Sequence, residues 1–228
     1  MNNDLIKDFL KIFITRNKNY NYDNNYALKA EMHAKNKLSI DEINTVKYYL
    51  YDKTIPKNLN ILDVGCNTGM PLVNFLNQTI DCKGFGIDIN KQAIDSFKAH
   101  ENNISLKLYD GVTIPFEDNY FDHVILHHVI GHVKEPNRIL SEINRVLKPG
   151  ATLSIITPNL WYKFFRFPHN LINNFKPDNS ILRYYSKNKL KKALEINQFS
   201  NNFFFYFGDD SFFKMNFAKL RICSISKK

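Results

Sequence analysis

From Asn60 onward, short apolar runs alternate with segments whose apolar residues recur every three or four positions. The runs cover 60–64, 83–88, 104–109, 121–126 and 151–156, each of strand length, and helical spacing fills 71–77, 91–99 and 136–147. Such alternation predicts a mostly parallel sheet with helices on both faces. Leu147-Lys148-Pro149-Gly150 stops the third helix and opens the fifth strand. The rhythm is lost after Pro158 and returns with a helix over 186–196, for which Ser186 is the N-cap. Phe203–Phe207 and Leu220–Ile225 then read as two final strands paired as an antiparallel hairpin, giving seven strands in all.

Ahead of this core, apolar residues at helical spacing mark residues 4–16 and 39–51, and Ser39 lies three residues before Glu42 as in a capping box. The expected organisation is an N-terminal helical extension over 1–55 and a main domain over 56–228. Residues 158–185 form an insertion in that domain.

The first strand sharpens the picture. Ile61-Leu62-Asp63-Val64 ends in Gly65-Cys66-Asn67-Thr68-Gly69-Met70-Pro71, a glycine turn feeding a helix that opens on a proline. Glycine lets the backbone turn sharply and lie against a ligand, and Pro71 suits a first helical turn. Asp88 closes the second strand 19 residues past Gly69, near the interval at which a carboxylate meets ribose hydroxyls in dinucleotide folds.

These stretches resemble the class I S-adenosylmethionine-dependent methyltransferases. The turn is similar to that family's Asp-x-Gly-x-Gly-x-Gly, with Asn67 at the middle glycine. Leu108-Tyr109-Asp110-Gly111-Val112-Thr113-Ile114-Pro115-Phe116 resembles Gly-Asp-Ala-x-x-Leu-Pro-Phe, and Phe121 to Val133 resembles Phe-Asp-x-Val, a strand and Leu-Glu-His-Val, with Gly131 for the glutamate. The resemblance implies a Rossmann-like methyltransferase fold with S-adenosylmethionine as cofactor. It implies cofactor contacts at Asp63, Gly65, Asn67, Gly69, Asp88, Ile89, Asp110, Gly111, Leu126 and His127.

In that family Asp63 orients the turn or receives the ammonium group, Asp88 takes the ribose, Asp110 accepts from the adenine amino group and Gly111 offers its N–H to the ring. Taken singly, Asp88 or Asp110 is better explained as a helix N-cap or a turn acid. Their order and spacing over 60–158 carry the reading. A nicotinamide-dependent dehydrogenase wants Gly-x-Gly-x-x-Gly, and here Asn67 and Met70 stand at two of the three glycines.

Methyl transfer from a sulfonium needs alignment first, and oxygen or nitrogen acceptors often need a base, a role that suits histidine. His132 and His128, just past the fourth strand, are the candidates for catalysis, although each could equally brace its loop. His169 is a more distant one. Trp161 and Tyr162 could stack on a planar acceptor and Lys163 and Arg166 could hold an anionic group, or these aromatics could simply cover the sheet. No metal site is expected, since no carboxylate accompanies the histidines at ligand spacing.

Charge adds a second reading. Lys and Arg balance Asp and Glu at 18 each over residues 1–159, so the whole excess of +9 falls in residues 160–228, which also hold 17 of the 32 aromatics. Such a segment can attract nucleic acid. Only 6 of the 31 basic residues are Arg, the residue favoured for phosphate, and the Asn/Lys/Ile/Phe/Tyr bias fits an A/T-rich genome. A small-molecule acceptor, anionic or aromatic, is therefore preferred over nucleic acid. The expected activity is methylation of a small or medium-sized acceptor at oxygen. A nucleic-acid methyltransferase and a cofactor-binding, non-catalytic partner subunit are the alternatives.

Cys66, Cys82 and Cys223 form no disulfide framework, and neither a secretory signal nor an 18-residue apolar run is present. A cytoplasmic protein without a membrane span is expected.

Overall fold

A computed structural model describes residues 37–51, 56–77, 79–97, 103–160, 180–207 and 221–228. In chain order its elements are α1 (Lys37–Tyr51), β1 (Asn60–Val64), α2 (Met70–Leu76), β2 (Lys83–Asp88), α3 (Lys91–Asp95), β3 (Ile104–Leu108), β4 (Phe121–His127), α4 (Pro136–Val146), β5 (Leu147–Pro158), α5 (Lys187–Ile196), β6 (Ser200–Phe207) and β7 (Arg221–Lys227). One seven-stranded sheet runs β3-β2-β1-β4-β5-β7-β6. The pairs β1–β2, β2–β3, β1–β4 and β4–β5 are parallel, whereas β7 is antiparallel to both β5 and β6. This is the expected mixed α/β sheet, final hairpin included.

The central strands are largely apolar because both their faces are covered. Against one face lie Leu140 and Ile143 of α4 and Leu190 and Leu194 of α5, packed on Leu62, Val124 and Leu153. Against the other lie Ile43 and Val46 of α1 and Leu72 and Phe75 of α2, packed on Ile61, Ile125 and Ile156. Each such aliphatic side chain stabilises the fold by about 1.5–3 kcal/mol through area removed from water.

Several boundaries differ from the sequence reading: β6 begins at Ser200, ahead of the expected 203, and β7 runs on to Lys227, past the expected 225. α1 is already helical at Lys37, so Ser39 lies inside the helix and does not cap it. α3 stops at Asp95, short of the expected 99; its N-cap is Asn90, whose side chain accepts from the amides of Gln92 and Ala93. β5 begins at Leu147, not 151, because Phe121 already pairs with Leu147. The pairing shifts register before His123 meets Thr152, so the predicted Lys148-Pro149-Gly150 turn survives as an irregularity within the strand. Ser186 does cap α5, accepting from the Lys189 amide. The expected helix over 4–16 lies outside the described residues, as does the 52–55 stretch at the expected domain boundary.

Away from the glycine turn, Asp122 ties the sheet together. Its carboxylate accepts from the Asn60 amide at 2.9 Å and from Lys148 Nζ at 2.7 Å, linking β4 to the first residue of β1 and to the early part of β5. The acid in the Phe-Asp-x-Val stretch is thus part of the scaffold.

Candidate functional site

The strand order reverses at β1, which lies between β2 and β4, and a crevice opens beyond the carboxyl ends of strands at such a point. The turn after β1 uses three left-handed residues: Gly65 (φ 78°), Asn67 (φ 49°) and Gly69 (φ 77°). Gly65 is also needed for space, since a Cβ there would lie 2.3 Å from Val129 Cγ2. The turn's own amides are engaged within the protein. Gly65 and Cys66 both donate to the Ile87 carbonyl (2.8 and 3.1 Å), and Gly69 donates to that of Cys66 (2.9 Å).

Asp88 organises the two loops around it. Its Oδ2 accepts from the Asn67 amide and its Oδ1 from the Asn90 amide, both at 2.8 Å. Burial pushes this carboxyl up, against the pull of those amides. Asp63, only 3% exposed, is pushed up to about 7 by burial and by the nearby Asp88 charge. Asp63 Oδ2 and Asn67 Oδ1 are buried and accept no hydrogen bond from the protein. Two unsatisfied acceptors, one at the end of β1 and one in the turn after it, are costly unless a donor arrives.

The loop after β3 supplies Asp110 and Gly111. Asp110 is exposed, and its Oδ1 accepts from the Val112 and Thr113 amides at 2.8 Å each, holding the carboxyl below its usual range. That half of the carboxylate shapes its own loop. Gly111 (φ 79°) sits beside Ile89, which is 49% exposed. Arg145 fastens the following segment. It grips Glu142 through Nε and Nη2 (2.9 and 2.8 Å) and donates to the carbonyls of Ile114 and Phe116, while Glu142 accepts from the Ile114 amide.

At the end of β4 the histidines separate. His127 turns Nε2 onto Ser154 Oγ at 3.1 Å, and burial keeps its imidazole well below the ordinary value. The same hydroxyl meets His123 Nε2 at 3.0 Å. His123 is wholly buried, is bonded through Nδ1 to Thr152 Oγ1, stacks on Phe75 with ring centroids 5.4 Å apart, and is pushed down to about 3. Leu126 is fully buried in the core. His128 is exposed and left-handed (φ 60°). His132 directs Nδ1 at the Ser180 carbonyl, 3.0 Å away. Trp161, Tyr162, Lys163, Arg166 and His169 lie outside the described residues.

Sequence reasoning missed His123, Ser154 and the Arg145–Glu142 clamp. Only the last left a signal, an acid and a base three residues apart on one helix.

Residues 62–155 match a family model described as a methyltransferase domain. That stretch is thus similar to a methyltransferase domain. The chain is 31% identical over 113 residues to norajmaline N-methyltransferase of Rauvolfia serpentina, covering 47% of this chain and 39% of that protein. It is 33% identical over 116 residues to a demethylmenaquinone methyltransferase of Symbiobacterium thermophilum, covering 47% and 46%. The chain thus spans less than half the length of either relative. A SAM-dependent methyltransferase from Aquifex aeolicus shares the fold, with a TM-score of 0.64 over 88% of this chain and 97% of that one at 18% identity.

S-adenosylmethionine is the cofactor that the sequence resemblance implies, and the turn after β1 fits it. The ligand's amino-acid end carries an ammonium group with three donors, and the end of β1 and its turn offer two buried acceptors in want of one. Among the described residues no helix is long and apolar enough to cross a membrane, and no cluster of three or more His, Cys, Asp or Glu could hold a metal ion.

Proposed function

We propose that this chain transfers a methyl group from S-adenosylmethionine to a small or medium-sized acceptor, at oxygen. The pair of unpartnered buried acceptors, Asp63 Oδ2 and Asn67 Oδ1, carries this reading. Asp63 receives the ammonium group, and the backbone of 65–69 faces the methionine and ribose portions. Asp88 uses its remaining lone pairs for the ribose hydroxyls. Asp110, with Oδ1 committed to its loop, offers Oδ2 to the adenine amino group, and Gly111 presents its N–H beside the exposed Ile89.

The bound cofactor supplies a sulfonium methyl with a good leaving group, so the protein's tasks are alignment and exclusion of water. A hydroxyl acceptor must also lose its proton. With Nδ1–H donated to the Ser180 carbonyl, neutral His132 carries its lone pair on Nε2, the form a general base needs. His128, on the same loop, is the second candidate. His127 and Leu126 support the floor of the site through Ser154 and the core. Trp161, Tyr162, Lys163 and Arg166 are assigned to the acceptor on sequence grounds.

The test is methyl-labelled S-adenosylmethionine offered with phenols, carboxylic acids, amines and RNA. Label on a hydroxyl or carboxylate oxygen is expected, with turnover falling about 100-fold or more in His132→Ala. Label on amines alone would overturn the oxygen assignment, and label on RNA alone the small-acceptor assignment. Binding without any label would favour a non-catalytic partner subunit.

A further inference from the structure

The segment Ser180–Tyr185 is stitched across the ends of β4 and β5. The Leu182 and Arg183 amides both donate to the Gly131 carbonyl (2.9 and 3.0 Å), the Tyr185 amide donates to Pro158 and the Leu160 amide to Tyr185. The Arg183 guanidinium donates to two further carbonyls of the loop after β4, those of Val133 and Lys134. One arginine therefore grips three successive stations of that loop, Gly131, Val133 and Lys134, through its backbone and its side chain. At the near end of the strap, the buried Ser180 turns its carbonyl onto His132 Nδ1.

Gly131 makes the approach possible. A Cβ there would stand 3.1 Å from the Arg183 carbonyl oxygen, tighter than ordinary packing. The same loop reaches the turn after β1 through Val129, whose Cγ2 fills the space beside Gly65. The loop 129–134 is thus held on the cofactor side by Val129 and on the other side by the strap.

We propose that Arg183 is a positioning residue for His132. By fixing the strap on the loop after β4, it places the Ser180 carbonyl where it selects the Nδ1–H tautomer of His132 and leaves Nε2 as the proton acceptor. The inference rests on the reading of His132 as a base, but the position and tautomer of the ring are measured without any acceptor. An arginine suits this task because its fork of donors reaches two carbonyls at once, whereas a lysine reaches them from a single point. Gly131 is the matching feature on the loop, since a larger residue would lift the strap. Neither residue is related to the other by a spacing visible in the sequence, for 52 positions separate them.

The experiment labels histidine with nitrogen-15 and reads the two ring nitrogens of His132 by long-range correlation NMR, assigning them with His132→Gln. Wild type should show predominantly the Nδ1–H form. Arg183→Met should lower the ratio of Nδ1–H to Nε2–H about fivefold, the consequence of losing or loosening one neutral hydrogen bond. Arg183→Lys should fall between the two, and it carries the comparison if Arg183→Met does not fold. S-adenosylmethionine binding, followed by calorimetry on the same samples, should stay within about twofold of wild type. An Nε2–H tautomer in wild type, or a ratio unchanged in a folded Arg183 variant, overturns the proposal. Failure of wild type to bind S-adenosylmethionine overturns the functional reading instead and leaves the tautomer result standing.

Discussion

Asp88 Oδ2 accepts the amide N–H of Asn67 at 2.8 Å, so the acid that ends β2 also fixes the turn that ends β1. Its other oxygen holds the Asn90 amide at the same distance. One half-buried carboxylate thereby sets the shape of two adjacent loops and still has lone pairs for a ligand. The cofactor loop is pre-organised from below before any ligand arrives, which reduces the ordering cost of binding.

Asp63 makes the cofactor site sensitive to pH. Its folded value of about 7 stands above the ordinary carboxylate value, so the folded chain holds this proton more tightly than the unfolded chain does. The resulting stability is fully present below the unfolded value near 3.9 and is lost as pH rises through about 7. Asp63→Asn should therefore stabilise the ligand-free protein by about 1–3 kcal/mol at pH 8, with the gain vanishing near pH 4. Denaturant melts at the two pH values check this. An equal gain at both would show that the charge of Asp63 is not the cause.

Asn67 occupies a left-handed backbone position that glycine fills without strain. Asn67→Gly should change stability by less than about 1 kcal/mol, because the amide bonded to Asp88 is retained and a buried unpaired oxygen is removed. Asn67→Val should cost about 1–3 kcal/mol and weaken cofactor binding, since a β-branched residue resists this φ. Thermal melts of the two variants side by side give the comparison.

His123 is buried and neutral, and its folded value near 3 lies below the ordinary 6.5. Stability from this group is fully present above pH 6.5 and declines as pH falls toward 3, because the unfolded chain takes up the proton first. Between pH 7 and 4.5 the loss attributable to His123 should be about 2–3 kcal/mol. His123→Phe should flatten this limb of the stability curve, at some cost from the Thr152 hydroxyl, which loses its His123 contact, while Ser154 keeps its contact with His127. Chemical denaturation across this range reads the slope directly, and an unchanged slope in the variant would assign the acid sensitivity elsewhere.

Much of the fold was legible because β1 and β4 are buried on both sides, which demands the near-continuous apolar runs at Ile61–Val64 and Val124–Leu126. The cap at Ser186 and the final hairpin were legible for similarly local reasons. Boundaries set by pairing were not. Leu147 joins β5 because Phe121 is there to pair with it, a fact absent from its own neighbourhood in the sequence. The acids of the site stand out in the sequence because each closes a strand or opens a turn. His127 and Leu126 illustrate the opposite case. Whether a strand-end side chain faces the crevice, the core or a serine on the next strand depends on pleat and register, and Ser154 lies 27 positions from His127. The strap that holds His132 was hidden for the same reason, being made of backbone bonds across distant segments.

The central claim is that the turn after β1 holds S-adenosylmethionine with the help of Asp88. Isothermal titration of wild type and Asp88→Ala tests it most directly. Wild type should bind one equivalent with measurable heat, and Asp88→Ala should lose about 1–3 kcal/mol of binding free energy, a set of charge-assisted hydrogen bonds and the loop they hold. No binding by folded wild type, or equal affinity in the two proteins, would contradict it.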